Sequence, residues 1–276
     1  MHRVNDAGLK WVLTGLLLAS LAWPARPALA QNALRNAPSC KQAVYLTFDT
    51  GHMGVAPLIS QVLQKHQVPV TYFAANEKTQ QGDGSLGAHW APWWKEQADH
   101  GHEFASHTFD HAYWRADLES GQFKIRPSAG EFAGKDLTWR AADYCANLKQ
   151  AADRLEVMTG RKTLPLFRAP GGKTSPKLLA AAKACGYTHV GWSPAGFLGD
   201  ELSSQTHSNT KLLQSALKNI RSGDILVAHL GIWSRQDPWA PAVLEPLILG
   251  LKEKGFCFAS LRQHPQYSKL LAELPR

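Results

Sequence analysis

His107 and His111 stand four residues apart in the stretch Phe-Ala-Ser-His-Thr-Phe-Asp-His. One helical turn after Ser106 would project both imidazoles from the same face, where their ring nitrogens could converge on a single divalent ion. Asp49, Arg168 and His229 are distant in sequence but alike in setting. Each stands at or just past the end of a short apolar run, at 44–48, 166–167 and 224–228. Ionisable side chains gathered at the ends of strands are candidates for a chemical site. Each also has a plainer use, as turn cap, ion-pair partner or packed core residue, so the constellation matters more than any member.

The pattern of the chain must bring these residues together. Runs rich in β-branched and aromatic residues at 44–48, 68–74, 102–105, 166–168, 189–192, 224–229 and 256–261 read as strands. Between them, 55–66, 93–100, 140–159, 175–185, 212–220 and 242–254 carry helical spacing. Such alternation predicts an α/β fold with a largely parallel sheet, and chemistry in these folds sits at strand C-termini. The Trp-rich stretch 76–94 reads as a loop, and 112–138 as a long irregular insertion. No Pro/Ser-rich linker divides the chain, so one domain is expected.

Of the 276 residues, 44% are apolar, ample for a core. Arg3 and Lys10, the apolar run 11–23 and Ala28-Leu29-Ala30 have the order of a secretory signal peptide, with cleavage expected after residue 30 and a mature domain over 31–276. The apolar run is too short to cross a bilayer comfortably, and no later run suggests a span. Residues 1–30 hold Arg3, Lys10, Arg26 and Asp6, so cleavage leaves 27 basic against 21 acidic residues, a net charge of +6. The basic residues are scattered, which argues against a nucleic-acid partner. An exported protein, periplasmic or secreted, can oxidise Cys40, Cys145, Cys185 and Cys257 into two disulfides, with three possible connectivities. Cys40–Cys257 with Cys145–Cys185 follows if the elements that carry them are neighbours.

Five ordered motifs over about residues 40–265 resemble the polysaccharide deacetylase family with NodB homology, carbohydrate esterase family 4. Thr47-Phe48-Asp49-Thr50-Gly51 resembles its first motif, Thr-Phe-Asp-Asp-Gly, and His107-Thr108-Phe109-Asp110-His111 its second, His-(Ser/Thr)-x-x-His. Arg168-Ala169-Pro170-Gly171-Gly172 resembles the third, Arg-x-Pro-x-Gly, while Trp192 fits the fourth and Leu226-Val227-Ala228-His229 the fifth.

The resemblance implies a distorted (β/α) barrel with long loops and a hydrolase that removes N-acetyl groups from an amino-sugar polymer. It implies a divalent metal on His107 and His111, zinc foremost, with cobalt, manganese or nickel as alternatives. Asp49 would be the base, Arg168 its holder and His229 the general acid. Pro170 and Gly171 would lie at the oxyanion position, Trp192 would wall the pocket, and Leu226 would take the acyl methyl. Three departures stand out. The family's third metal ligand is the second Asp of the first motif; here it is Thr50, leaving Thr50, His52, Asp49 or water for that place. The family commonly has Tyr where this chain has Gly171. The acidic partner expected for the arginine near Trp192 is also missing, with Asp200 as a stand-in. Trp90, Trp93, Trp94, Trp114 and Trp233 flank the motif loops and could stack on sugar rings. The altered first motif keeps two other readings open: a deformylase or deacetylase of a lipid-linked sugar, and a glycan-binding protein without turnover. An O-acetyl esterase is a further use of the same site.

Overall fold

The computed structural model describes residues 40–274, so the segment expected to be cleaved, 1–30, lies outside the described residues. In chain order the strands are β1 (Ala43–Asp49), β2 (Thr71–Ala74), β3 (Glu103–Ser106), β4 (Ala112–Asp117), β5 (Phe123–Pro127), β6 (Leu137–Trp139), β7 (Leu166–Phe167), β8 (Thr188–His189), β9 (Ile225–His229) and β10 (Cys257–Phe258). The helices are α1 (Ala56–His66), α2 (Ala91–Asp99), α3 (Ala141–Thr159), α4 (Pro176–Ala184), α5 (Asn209–Asn219), α6 (Leu244–Glu253) and α7 (Ser268–Leu271).

Seven strands form one sheet, β10-β1-β2-β3-β7-β8 with β9 also on β1, and every pairing in it is parallel. The sheet curls without closing. Between β8 and β9 the gap is bridged by residues 193–198, where the Ser193 N–H donates to the Ile225 carbonyl at 3.1 Å and the Leu198 N–H to that of Val227 at 3.2 Å. This is the incompletely closed (β/α) barrel that the sequence leads one to expect.

Strand parity divides the core. Val44, Leu46 and Phe48 pack outward with apolar residues of the surrounding helices, while Tyr45 joins Phe73, Ala105, Leu166, Val190 and Ile225 in a second cluster. With both faces covered, β1 reads as a continuous apolar run rather than an alternating one. Helix ends follow local chemistry. Ser175 caps α4 by accepting from the Leu178 N–H at 3.0 Å, with Pro176 in the first turn. Asp143 caps α3 through the Arg140 N–H at 2.8 Å, and Gly160 ends that helix at φ 69°.

The disulfides are Cys40–Cys257, joining the entry to β1 with β10, and Cys145–Cys185, joining α3 to the end of α4. The region 112–138 is not irregular. It forms a second, antiparallel sheet, β4-β5-β6, whose middle strand buries Phe123, Ile125 and Pro127 and exposes Lys124 and Arg126 between them. That alternation is a strand signal, masked in the sequence by the short runs and by the Pro and Gly around them.

A candidate active site at the rim of the parallel sheet

Asp49 closes β1 and lies in register with His229 at the end of β9. Arg168, just after β7, is fully buried and reaches Asp49. Its Nη1 donates to Asp49 Oδ1 at 2.7 Å, its Nε to the Val190 carbonyl at 3.2 Å and its Nη2 to the Gly191 carbonyl at 3.3 Å. The guanidinium also lies over the Phe73 ring, 4.2 Å from the centroid. Burial by itself would raise the Asp49 pKa, but Arg168, then His107 and His229, outweigh it and hold the carboxyl ionised below its usual range.

His107 and His111 meet through a tight turn rather than a helical one. Thr108 and His111 both have left-handed backbones, at φ 61° and 47°. The turn is tied down by its neighbours. Thr108 Oγ1 accepts from the Ala112 N–H at 2.7 Å, and Asn147 of α3 accepts from the Asp110 N–H and donates to its carboxylate. The two imidazoles end with centroids 4.8 Å apart. His107 Nδ1 lies 2.9 Å from the Arg168 carbonyl, which only accepts, so Nδ1 carries the proton and Nε2 keeps its lone pair, 3.6 Å from Asp49 Oδ2. Burial lowers the His107 pKa to about 4, so the ring is neutral. His111 Nδ1 is 2.5 Å from Ser128 Oγ, a residue just past β5.

These groups face a cavity of about 100 Å³ lined also by Glu77, Tyr113, Gly171, Trp192, Phe197, Glu201 and Val227. Glu77, Tyr113 and Ser128 were not singled out in the sequence. Glu77 sits in the stretch expected to be a plain loop, which is pinned by a short bridge between Lys78 and Gly84. Gly171 has φ 61°, and a Cβ there would stand 2.8 Å from the Tyr113 ring. Tyr113, on β4, therefore packs where the family's own Tyr is missing; burial raises its pKa to about 12, so the phenol stays protonated.

Four expectations about placement change. Asp200 does not serve Arg168: it accepts from the His229 N–H at 2.6 Å and holds His229 Nδ1 at 3.1 Å. Burial would lower the His229 pKa, but the Asp200 charge and hydrogen bond overcome that and raise it to about 10. Arg168 instead uses backbone carbonyls and Phe73 where the acidic partner is absent. Leu226 does not line the cavity; it packs in the outer core, and its neighbour Val227 takes the wall because adjacent strand residues face opposite ways. His52 borders a separate, neighbouring hollow of about 360 Å³, with its ring edge-on to Trp233 and its Nδ1 accepting from the Gly54 N–H. Trp90, Trp93 and Trp94 are core residues, and Trp114 is partly buried with its indole N–H on Asp117. Of the five proposed stacking residues only Trp233 is exposed, at 61%. Pro170 is buried behind Gly171, and Trp192 walls the cavity.

Among the described residues no three His, Cys, Asp or Glu side chains are gathered into a ready metal cluster. The donor chemistry fits a cation nevertheless. The imidazoles of His107 and His111, the former with its tautomer fixed by a backbone carbonyl, share the cavity with three carboxylates, Asp49, Glu77 and Glu201, and a hydrogen bond on the far ring nitrogen is what orients a metal-binding histidine.

The curled parallel sheet thus carries a carboxylate, an arginine and three histidines at its C-terminal rim, the place where α/β folds of this kind carry their chemistry. The chain belongs to the polysaccharide deacetylase family, whose sequence profile matches residues 36–190. That membership places it in a family of deacetylase-type hydrolases that act on amino-sugar polymers. It is 24% identical over 231 residues to a chitooligosaccharide deacetylase of Azorhizobium caulinodans, covering 80% of this chain and 93% of that protein. It is 26% identical over 223 residues to a peptidoglycan-N-acetylmuramic acid deacetylase of Bacillus subtilis, covering 80% and 70%. The fold is also that of a family 4 acetyl xylan esterase from Clostridium thermocellum solved with a cobalt ion, at TM-score 0.61 and 17% identity over 85% of this chain and 93% of that one. A family 4 pseudoenzyme from Bacillus anthracis shares the fold too, at TM-score 0.58 and 18% identity over 83% and 66%.

Proposed function

We propose that this protein is an exported, metal-dependent hydrolase that removes the N-acetyl group from an amino-sugar glycan. The observation that carries the reading is the pairing of opposites across one cavity: Asp49, held ionised by Arg168, faces His229, held protonated by Asp200. A base and an acid whose environments push their pKa values apart are the pair amide hydrolysis needs.

His107 and His111 would hold the cation, zinc by preference with cobalt, manganese or nickel as alternatives; when bound it would polarise the acyl carbonyl and acidify a water. Asp49 takes the proton of the water that adds to the carbonyl carbon. Arg168 keeps the carboxylate aimed. The Gly171 backbone N–H donates to the oxygen as it gains charge. His229 gives its proton to the departing amine, which is otherwise a poor leaving group. Trp192, Phe197, Val227 and Tyr113 restrict the space to a small acyl group and limit water. The two disulfides support export, since such bonds persist in oxidising compartments.

The test is acetate release from N-acetylated chitooligosaccharides and from peptidoglycan, with zinc supplied or chelated. Release that needs the metal supports the reading; no release from either glycan with metal bound would overturn it. A formylated, lipid-linked sugar assayed in detergent separates the deformylase alternative. Thr50, which removes a carboxylate from the first motif, favours one second reading, a glycan-binding protein without turnover. That reading requires sugar binding unchanged by Asp49→Ala and no acyl release.

A further inference from the structure

The first motif lacks its second carboxylate, and Thr50 stands there instead. The hydroxyl is engaged on both its donor and its acceptor side: Thr50 Oγ1 accepts from the Ala75 N–H at 3.0 Å and donates to Glu77 Oε2 at 2.7 Å. With its proton committed to Glu77 and one lone pair to Ala75, Thr50 is placed to support a carboxylate, not to replace one.

The carboxylate it supports comes from the loop after the next strand. β2 pairs with β1 in the register Asp49↔Phe73, and the Thr50 N–H donates to the Phe73 carbonyl at 3.1 Å, so the chain leaving β2 passes beside position 50. Glu77 is the fourth residue of the sequence after Phe73, and its longer side chain returns over that gap to the cavity wall. Its backbone is fixed at both ends: the Glu77 N–H donates to Ser85 Oγ at 3.0 Å, and the Ser85 N–H donates to the Glu77 carbonyl at 2.8 Å. Oε2 is held by Thr50, while Oε1 stands 3.8 Å from His111 Nδ1. Among the described residues no lysine or arginine pairs with Glu77, whereas Asp49 across the cavity has Arg168. A mostly buried carboxylate facing two imidazoles, with no cationic side chain of its own, is arranged to meet a bound cation.

We infer that Glu77 is the third protein ligand of the cation site, the carboxylate having moved from the end of β1 to the loop after β2, with Thr50 orienting it. This rests on the reading that His107 and His111 hold a divalent cation. The assignment gives the site two imidazoles and one carboxylate, a set suited to zinc with a position left for water. It also frees Asp49 to act as the base.

The experiment measures zinc and cobalt binding to the metal-stripped full chain, by competition with a chelator and by the visible spectrum of the cobalt form. Thermal unfolding of each stripped variant reports whether it folds. Glu77→Gln, nearly isosteric, is expected to raise the zinc Kd by about 100-fold or more, since even outer hydrogen-bond partners are worth about 10–100-fold. It should also change the cobalt spectrum while the stripped protein unfolds as the parent does. Thr50→Val is expected to cost about tenfold, and adding Thr50→Asp to Glu77→Ala to restore binding by returning a carboxylate to the first motif. If Glu77→Gln binds zinc as the parent does while His107→Ala does not, the two-histidine site stands and the role of Glu77 is overturned. If the parent itself binds no metal, both this assignment and the metal-dependent reading fall. Failure of the Thr50→Asp rescue, with Glu77→Ala folded, would overturn the claim that the carboxylate was relocated.

Discussion

The strand ends of the parallel sheet and the segments beside it furnish the same cavity by different routes. Asp49, His107, Arg168 and His229 stand at or near the ends of paired strands, so hydrogen-bond register fixes where their backbones lie. Glu77, Tyr113 and Ser128 come from the 78/84 bridge loop and the β4–β6 sheet, and each serves a site residue or a place where a motif residue is missing. Glu77 stands by Thr50, Tyr113 fills the space over Gly171, and Ser128 holds His111. Register at the rim preserves backbone positions, while the flanking segments can change the side chain that fills a given volume. A motif can therefore lose a residue without the cavity losing its chemistry.

Substitutions can separate the two groups. Removing a rim residue should do the most damage. Asp49→Asn is expected to lower kcat/KM for acyl release by about 10³-fold, within the usual range for losing a positioned base. It also leaves Arg168 buried without its charge partner, at a cost of about 3 kcal/mol in urea unfolding. Activity within tenfold of the parent would show that the rim is not where the base lies. On the flanking side, Ser128→Ala should weaken zinc binding by about tenfold, because the outer partner of His111 is lost; an unchanged affinity would mean the β4–β6 sheet does not tune the site.

A smaller effect is expected at the contact between the two regions. Gly171→Ala places a methyl against Tyr113 on a left-handed backbone and should cost about 1–2 kcal/mol. In a Tyr113→Ala background the steric part should disappear, leaving the backbone part. A double-mutant cycle with no coupling would show that the ring does not occupy that space.

A separate effect concerns acidity. Burial lowers His102 and His189 to about 4, so both fold neutral. Their contribution is complete above the unfolded value near 6.5 and is lost as pH falls toward 4, because the unfolded chain binds the protons first. His229, raised to about 10, behaves oppositely: its contribution is complete below 6.5 and fades as pH rises toward 10. Urea midpoints should therefore fall on both sides of neutrality in the parent. The alkaline decline should be reduced in Asp200→Asn relative to its own value at pH 6, and an equal decline would deny His229 its raised pKa.

Much of the rim was legible in the sequence, because strand runs and motif residues lie side by side: Val44–Leu46–Phe48 leads directly to Asp49, and Leu166-Phe167 to Arg168. The partners were not, because they depend on which distant segments touch. Asp200 was seen as a carboxylate but assigned to the arginine rather than to His229, 29 residues away. The core role of Trp90, Trp93 and Trp94 was available: they fall at i, i+3 and i+4, the spacing of a buried helix face. Leu226 was open to the same correction, since strand parity places Val227 and His229 on one side and Leu226 on the other. Glu77 carried no local signal beyond being an acid in a Gly-rich loop.

The register Asp49↔His229 has a consequence for how the molecule comes into being. Its two halves are 180 residues apart in the chain, and the Cys40–Cys257 bond spans 217. Contacts of such separation form late in folding, since a long loop must close before they are rewarded. The proposed base and acid, Asp49 and His229, are consequently united only when β9 docks on β1. A chain still emerging, or one clipped before residue 225, would carry Asp49 and the histidine pair but no proton donor, so catalytic competence would be among the last properties the folding chain acquires.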